Sequence, residues 1–223
     1  MAIPIDRLVR SSRRTVGLTV TRDGLLVVRA PRRISETEVM RLVATKGEWI
    51  RRTRERLRAK MDERPCHRYR DGETFPLLGE PVPLTIIEGE VPALEHDGAF
   101  RLTRAGVPRG RELFEAWYRR RAASVLGERA DHWGPRLGVK PVRVLLSSAR
   151  TKWGSCDARG VVRFSWRLVM APPPVIDYLV VHELAHLIIR GHSRAFWECV
   201  AAHDPQHRAH RRWLADHGHA LDL

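Results

Sequence analysis

Cysteine is scarce in this sequence. Only Cys66, Cys156 and Cys199 occur among 223 residues, and no two of them form a CxxC pair. This spacing argues against a disulfide framework and against a zinc site built on paired thiolates. We therefore expect a protein of a reducing compartment.

Long hydrophobic runs are also missing. No stretch of about 18 apolar residues occurs, so no membrane-spanning helix is expected. Residues 1–14 lack the continuous apolar core of a signal peptide. The hydrophobic content of 43% is nevertheless sufficient for a packed core. Together these features predict a soluble, cytoplasmic protein with no membrane partner.

Acidic residues are few relative to basic ones. The chain has 26 Asp and Glu against 40 Lys and Arg, a formal net charge of +14. Residues 1–70 hold 19 basic and 8 acidic residues, or +11, whereas residues 71–223 hold 21 and 18, or +3. Two interpretations of the basic half stay open: a solvated face, and a surface that binds nucleic acid through its phosphates.

The first 60 residues combine a hairpin with one helix. Apolar residues alternate over residues 16–20, and Asp23-Gly24 supplies a turn before a second strand at residues 25–28. Ser35 and Glu38 fit a capping box, which predicts a helix that starts there and continues to Lys60.

The remaining chain alternates between short strands and helices. Turn residues divide residues 69–104 into short extended pieces. The later elements are expected at residues 109–133 (helix), 142–147 and 161–166 (strands), and after the prolines at 172–174 (helix). The pattern predicts an α+β protein. We expect an N-terminal β-rich region with one helix at residues 1–105, followed by a second region at residues 106–223. Two arrangements stay open: two separate domains, or one compact unit.

The segment with the clearest chemistry is the His-Glu-Leu-Ala-His stretch that begins at His182. His182 and His186 are four residues apart, so they project from one helix face and can bind one zinc ion. Glu183 is placed to act as the general base on a zinc-activated water, as peptide hydrolysis requires. The flanking residues are strongly apolar, and buried His and Glu side chains are costly unless they are coordinated or hydrogen-bonded.

A third ligand is predicted at His192. Gly191 can end the helix in a left-handed conformation and turn the chain back toward the metal, and Ser193 can cap a following helix. The spacing matches that of metzincins, but Ile189 occupies their glycine position and no Met-turn follows. The spacing therefore supports three His ligands without making the chain a metzincin.

The loop at residues 149–156 has two interpretations. It either lines a substrate cleft, with Arg150, Lys152 or Ser155 near the scissile carbonyl, or forms a tight hairpin in which Trp153 packs into the core. Cys156 is expected to be a buried structural thiol. Asp177 either orients a ligand His or contributes charge at a helix N-terminus.

The C-terminal segment is rich in histidine. We expect a solvated amphipathic helix there in preference to an adventitious metal site. The histidines concerned are His203, His207, His210, His217 and His219.

Several longer motifs point to one family. They are the WGSC sequence at residues 153–156, residues 162–168, residues 176–186, residues 192–197, Asp204-Pro205 and residues 212–214. With the N-terminal hairpin and Trp49-Ile50, these motifs resemble the YgjP-like zinc metallopeptidases over most of the chain. The resemblance implies a zincin-like catalytic region, related to SprT-type and minigluzincin-like peptidases, in which a small sheet packs on the HExxH helix and further helices follow.

The same resemblance assigns roles to four residues. It implies that His182, His186 and His192 bind Zn²⁺ and that Glu183 is the general base. The predicted function is a zinc metallopeptidase acting on a polypeptide substrate. The alternative is a nucleic-acid-associated zinc protein that uses its basic N-terminal region, with or without protease activity.

Overall fold

The computed structural model describes residues 3–21, 23–63, 65–91 and 93–223. The chain divides into two compact units, Met1–Arg64 and Pro65–Leu223. The boundary predicted between residues 105 and 106 lies inside the second unit, because the strands of residues 74–103 share one hydrophobic core with the long helix that follows them.

The first unit is a three-stranded sheet with two helices. Its elements are β1 (Arg7–Ser11), β2 (Gly17–Val20), β3 (Leu26–Pro31), α1 (Glu36–Thr45) and α2 (Gly47–Asp62). The central strand β3 pairs antiparallel with β2, which confirms the predicted hairpin, and parallel with β1. The buried residues of β3 pack with Val39, Val43 and Ile50 of the helices in a separate small core.

The single helix predicted in this unit is in fact two helices. Ser35 caps α1 in a capping box with Glu38, as predicted. The N–H of Lys46 then donates to the Val43 carbonyl over 3.1 Å, and Lys46 leaves helical geometry at φ −103° and ψ 12°. Gly47, a poor helix former, starts α2. The apolar pattern continues across this break, so periodicity alone did not locate it.

The second unit contains two small sheets and four α-helices in its described part. Its elements are β4 (Thr74–Leu77), β5 (Glu80–Ile87), β6 (Leu94–His96), β7 (Phe100–Thr103), α3 (Gly110–Leu137), β8 (Arg143–Ser147), β9 (Gly154–Cys156), β10 (Val161–Ser165), α4 (Pro173–Ala185), α5 (Arg194–His203) and α6 (His207–His217). Short 3-10 helices cover Arg104–Arg109, Trp166–Met170 and Gly218–Ala220.

The four-stranded sheet has the order β4-β5-β7-β6. Residues 80–83 of β5 pair with β4, and residues 84–87 pair with β7. Pro81 and Pro83 therefore lie in the half of β5 that has a strand partner on one side only, where a missing N–H costs little.

The three-stranded sheet and α4 position the site described below. The sheet has the order β8-β10-β9, so β9 is an edge strand beside α4. Helix α4 is buried along most of its length, as expected of a helix that is apolar on all sides. Within the described ranges, no helix is both long enough and apolar enough to cross a membrane.

Candidate metal centre

Helix α4 carries the first two histidines of the candidate centre. The helix follows Pro172 and has proline in its first turn, where no N–H partner is needed. His182 lies in its last turn and His186 is its C-cap residue. The two rings lie on one face with centroids 5.0 Å apart, as the spacing of four residues predicts.

A turn after α4 brings the third histidine back to this face. The N–H of Ile189 donates to the Ala185 carbonyl over 2.9 Å, and Gly191 then adopts the left-handed conformation at φ 78°. Ser193 caps α5 by accepting from the Phe196 N–H over 3.4 Å. Both local predictions for this turn are confirmed.

The three predicted ligands converge. One ring nitrogen from each of His182, His186 and His192 lies within 4.8 Å of the other two, and Nε2 of His182 is 3.2 Å from Nε2 of His192. His182 and His186 are half-buried, whereas His192 is exposed. In the part of the chain that the structure describes, no second trio of His, Cys, Asp or Glu side chains converges in this way.

The environment favours the neutral form of His182 and His186, as metal binding requires. Burial, together with the smaller effects of the charges of His186, His192 and Arg211, lowers the pKa of His182 to about 3. Burial also lowers the pKa of His186. The Nδ1–H of His186 donates to the Ile189 carbonyl over 3.2 Å, which leaves Nε2 free to bind a metal.

Aromatic side chains of α5 hold the histidine rings in place. Phe196 stacks on His186 with centroids 4.4 Å apart, and Trp197 stacks on His192 at 5.6 Å. The sequence predicted a helix after Ser193 but gave these two aromatics no role at the centre. Their role in orienting the centre depends on the turn at Gly191, which brings α5 against α4.

Glu183 lies beside the trio in a buried position. Its side chain is packed against the backbone of Gly154 in β9, and the residue is only 4% exposed. Burial raises the pKa of Glu183 to about 7, and the charge of Lys152 opposes this shift. A carboxyl group with such a pKa can both accept and release a proton near neutral pH.

The loop at residues 149–156 shows features of both predicted arrangements. Trp153 packs against the hydrophobic core, as the hairpin interpretation predicts. The positive charge of Lys152 opposes the rise in the pKa of Glu183 that burial causes, as expected of a residue near the cleft. Arg150 pairs with Asp222 over 2.9 Å instead of facing the trio. Ser155 lies in β9, opposite Arg163 of β10.

The structure decides between the predicted roles of Asp177 and refines the prediction for Cys156. Asp177 accepts from Trp133 Nε1 over 3.0 Å and pairs with Arg129 at 3.3 Å, so it ties α4 to α3 and orients no ligand His. Cys156 is partly buried, and burial followed by the charge of Glu183 raises the pKa of its thiol. It therefore stays protonated at neutral pH and is a poor nucleophile.

The C-terminal histidines do not form a second centre among the described residues. His210 pairs with Asp204 at 2.9 Å, and His203 contacts the carbonyls of Cys199 and Arg136. Helix α6 buries Leu214 and exposes its arginines, which agrees with the predicted amphipathic helix.

Comparison with known proteins places the chain in a family. A family profile described as "YgjP-like, metallopeptidase domain" matches residues 14–217. The UTP pyrophosphatase of Escherichia coli (strain K12) is 34% identical over 59 residues, which is 26% of this chain and 35% of that protein. The chain thus matches about a third of the length of this curated relative.

One solved structure shows a limited likeness. The metallopeptidase zymogen of Pyrococcus abyssi, abylysin, has a TM-score of 0.37 and 20% sequence identity, over 40% of this chain and 92% of that chain. The similarity is too low to bear on mechanism. The family profile, in contrast, spans nearly the whole sequence, and the chain belongs to the YgjP-like metallopeptidase domain family.

Proposed function

We propose that the protein hydrolyses peptide bonds in polypeptide substrates, with zinc held by His182, His186 and His192 and with Glu183 as the general base. The observation that carries this proposal is the convergence of three imidazoles beside one buried carboxyl group. The membership in a metallopeptidase family supports it.

The residues present fit a zinc ion. Two nitrogens that each lie ~2.0–2.1 Å from a tetrahedral zinc are about 3.3 Å apart. The Nε2 atoms of His182 and His192 are 3.2 Å apart. Three imidazoles without a fourth protein ligand are typical of catalytic zinc sites, not of structural ones. A zinc ion bound there would polarise the scissile carbonyl and lower the pKa of a water to about 7.

Glu183 supplies the proton transfers. Its pKa of about 7 lets the carboxylate take a proton from the attacking water and return it to the leaving amine. Because the carboxyl group packs on the backbone of Gly154, its position is fixed by β9.

Strand β9 is also suited to bind the substrate. It is one of the two edge strands of its sheet, and one side of it pairs with no described strand. An extended polypeptide can hydrogen-bond to such an edge, next to the carboxyl group of Glu183.

An unbiased comparison tests this function. Wild-type and Glu183→Gln protein, both loaded with zinc, are incubated with a whole-cell lysate, and new peptide termini are identified by mass spectrometry. We expect new termini with the wild type and none above background with the variant. Equal sets of termini from the two proteins would overturn the role of Glu183, and no new termini from either would overturn peptide hydrolysis.

A second candidate is the hydrolysis of a nucleoside triphosphate. The E. coli relative is a UTP pyrophosphatase, and hydrolysis of UTP to pyrophosphate leaves UMP. A groove of about 510 Å³ beside Trp197 is lined by Arg208 and Arg211, and by Arg194, which pairs with Glu198 over 2.7 Å. Trp197 also stacks on His192, so these cations adjoin the candidate centre and suit an anionic substrate.

The two candidates are separated by assaying UTP with the same protein preparations. Release of pyrophosphate that disappears in Glu183→Gln and weakens in Arg208→Gln/Arg211→Gln would support the nucleotide reaction. The absence of pyrophosphate release from zinc-loaded wild type would exclude it.

A further inference from the structure

Helix α2 carries part of the excess positive charge of the N-terminal half. A groove of about 570 Å³ lies along this helix, within the first unit. We call it the Trp49 groove, and it is lined by Thr45, Lys46, Glu48, Trp49, Arg52, Thr53 and Arg56. The chemistry proposed above uses none of these residues.

The groove has a surplus of positive charge that the first unit does not neutralise. Glu48, its acidic residue, is shared between Arg51 at 2.5 Å and Arg52 at 2.6 Å. Both pairs are exposed and therefore weak, so Arg52 can exchange Glu48 for a phosphate. Lys46 and Arg56 form no ion pair with any residue in the described ranges. These cations are therefore available to an anionic partner.

Other arginines of α2 differ in this respect. Arg54 donates to the Gly24 carbonyl over 2.8 Å and pairs with Asp6 at 2.7 Å, so it stabilises the unit internally. Arg54 is thus engaged within the described part of the first unit, whereas Lys46 and Arg56 beside Trp49 are not.

Trp49 makes the groove more than a basic surface. Its side chain is large and apolar, yet the residue is 45% exposed. Arg52 and Arg56 follow it at three and seven positions, on the same face of α2. An exposed aromatic ring flanked by cations is the arrangement that binds unpaired bases by stacking and their phosphates by charge.

We propose that the Trp49 groove binds single-stranded nucleic acid, with a base stacked on Trp49 and phosphates bound by Lys46, Arg52 and Arg56. Double-stranded nucleic acid fits less well, because its bases are already stacked and cannot use the exposed indole. An acidic polypeptide would match the charge but has no base to cover Trp49. The proposal is independent of the reaction catalysed in the second unit.

Fluorescence anisotropy tests the proposal on the full-length, zinc-loaded protein. The probes are fluorescein-labelled 20-mers of deoxythymidine and of uridine, and a 20-base-pair DNA duplex. We expect tighter binding of the single strands than of the duplex. The two single-stranded probes distinguish a DNA ligand from an RNA ligand.

The salt dependence reports the phosphate contacts. With three cations on a single strand, affinity should fall about 20-fold between 50 and 200 mM salt. Arg52→Gln/Arg56→Gln should reduce this loss to about threefold and weaken binding at low salt. Trp49→Ala should weaken binding by about tenfold or more while leaving the salt dependence unchanged.

The matched control is Arg51→Gln/Arg58→Gln. This variant removes the same charge from the same helix, but from the side away from Trp49, and Arg51 shares Glu48 with Arg52. Its affinity for the single-stranded probes should stay within about twofold of that of the wild-type protein. Circular dichroism melting of each variant identifies any loss of fold.

Three results would overturn the proposal: equal losses in the two double variants, unchanged binding in a folded Trp49→Ala, or equal binding of duplex and single strands. Displacement of the oligonucleotide by a 20-residue polyglutamate at the same charge concentration would instead indicate an acidic protein partner and would also contradict it. Because Glu183→Gln should not affect these measurements, their failure is distinct from failure of the proposed reaction.

Discussion

The backbone of Gly154 lies directly against the side chain of Glu183. A Cβ atom on residue 154 would be 2.6 Å from Cγ of Glu183 and 2.7 Å from its Cδ. These separations are shorter than side chains tolerate, and the neighbouring atoms belong to a buried residue that has little room to move. Glycine at position 154 therefore allows the edge strand β9 to pack directly against the side chain of Glu183, the candidate base.

Gly154→Ala should displace Glu183 and reduce hydrolysis on the order of 10²-fold, because a shift of about 1 Å in a catalytic group has effects of this size. Zinc content should not change, since the three atoms nearest to the added methyl group all belong to Glu183 and none to the three histidines. Turnover of the cleaved substrate and zinc content are measured on the same sample. Gly127→Ala is the control, because nothing lies within 4 Å of its added Cβ and activity should stay unchanged. Full activity in Gly154→Ala would contradict the close packing.

His192→Ala should lower the affinity for zinc. Removal of an outer hydrogen-bond partner of a zinc ligand costs about 10–100-fold in affinity, and we expect loss of a ligand itself to cost more. Competition with a coloured zinc chelator gives the dissociation constant. His210→Ala is the matched histidine control, because His210 pairs with Asp204 and lies outside the trio. Equal zinc affinity in the two variants would exclude His192 as a ligand.

The Asp222 carboxylate should stabilise the second unit in a pH-dependent way. Asp222 pairs with the buried Arg167 at 2.9 Å and with Arg150 at 2.9 Å. Burial opposes ionisation of Asp222, but the hydrogen bond and charge of Arg167 outweigh it and hold the pKa of this carboxyl below its usual value. Asp222→Asn should therefore reduce the free energy of unfolding by about 2–3 kcal/mol at pH 7.

The sign of the pH effect follows from the lowered pKa. The stabilisation is fully present above the unfolded-state pKa of about 3.9 and is lost as pH falls through the folded-state pKa. Melting temperatures of wild type and Asp222→Asn should differ at pH 7 and converge in acid. Glu198→Gln, which removes an exposed pair with Arg194, should leave the melting temperature unchanged. A constant difference across this pH range would show that the carboxylate charge is not responsible.

Local signals in the sequence predicted much of the site. The spacing of His182 and His186 and the turn at Gly191 follow from helix geometry and from the conformational freedom of glycine. The α+β class and the N-terminal hairpin were predicted correctly for the same reason, because strand alternation and turn residues act over short distances.

Features that depend on distant contacts were not predictable in this way. Gly154 meets Glu183 only after β9 is placed beside α4, and Asp177 pairs with α3 over a separation of more than 40 residues. The break at Lys46 leaves the apolar periodicity intact, and the boundary between units depends on which core the strands of residues 74–103 join. Tertiary packing determines these contacts and boundaries, and the local sequence pattern does not encode it.

The central claim is that Glu183 performs the proton transfer beside a zinc ion held by three histidines. The most direct test measures hydrolysis of an identified substrate and zinc content in the same preparations of wild type and Glu183→Gln. The account predicts one zinc per chain in both proteins and a loss of activity of about 10²–10⁴-fold in the variant, the usual contribution of a general acid–base group. A zinc-loaded Glu183→Gln protein that turns over substrate as fast as the wild type would contradict it.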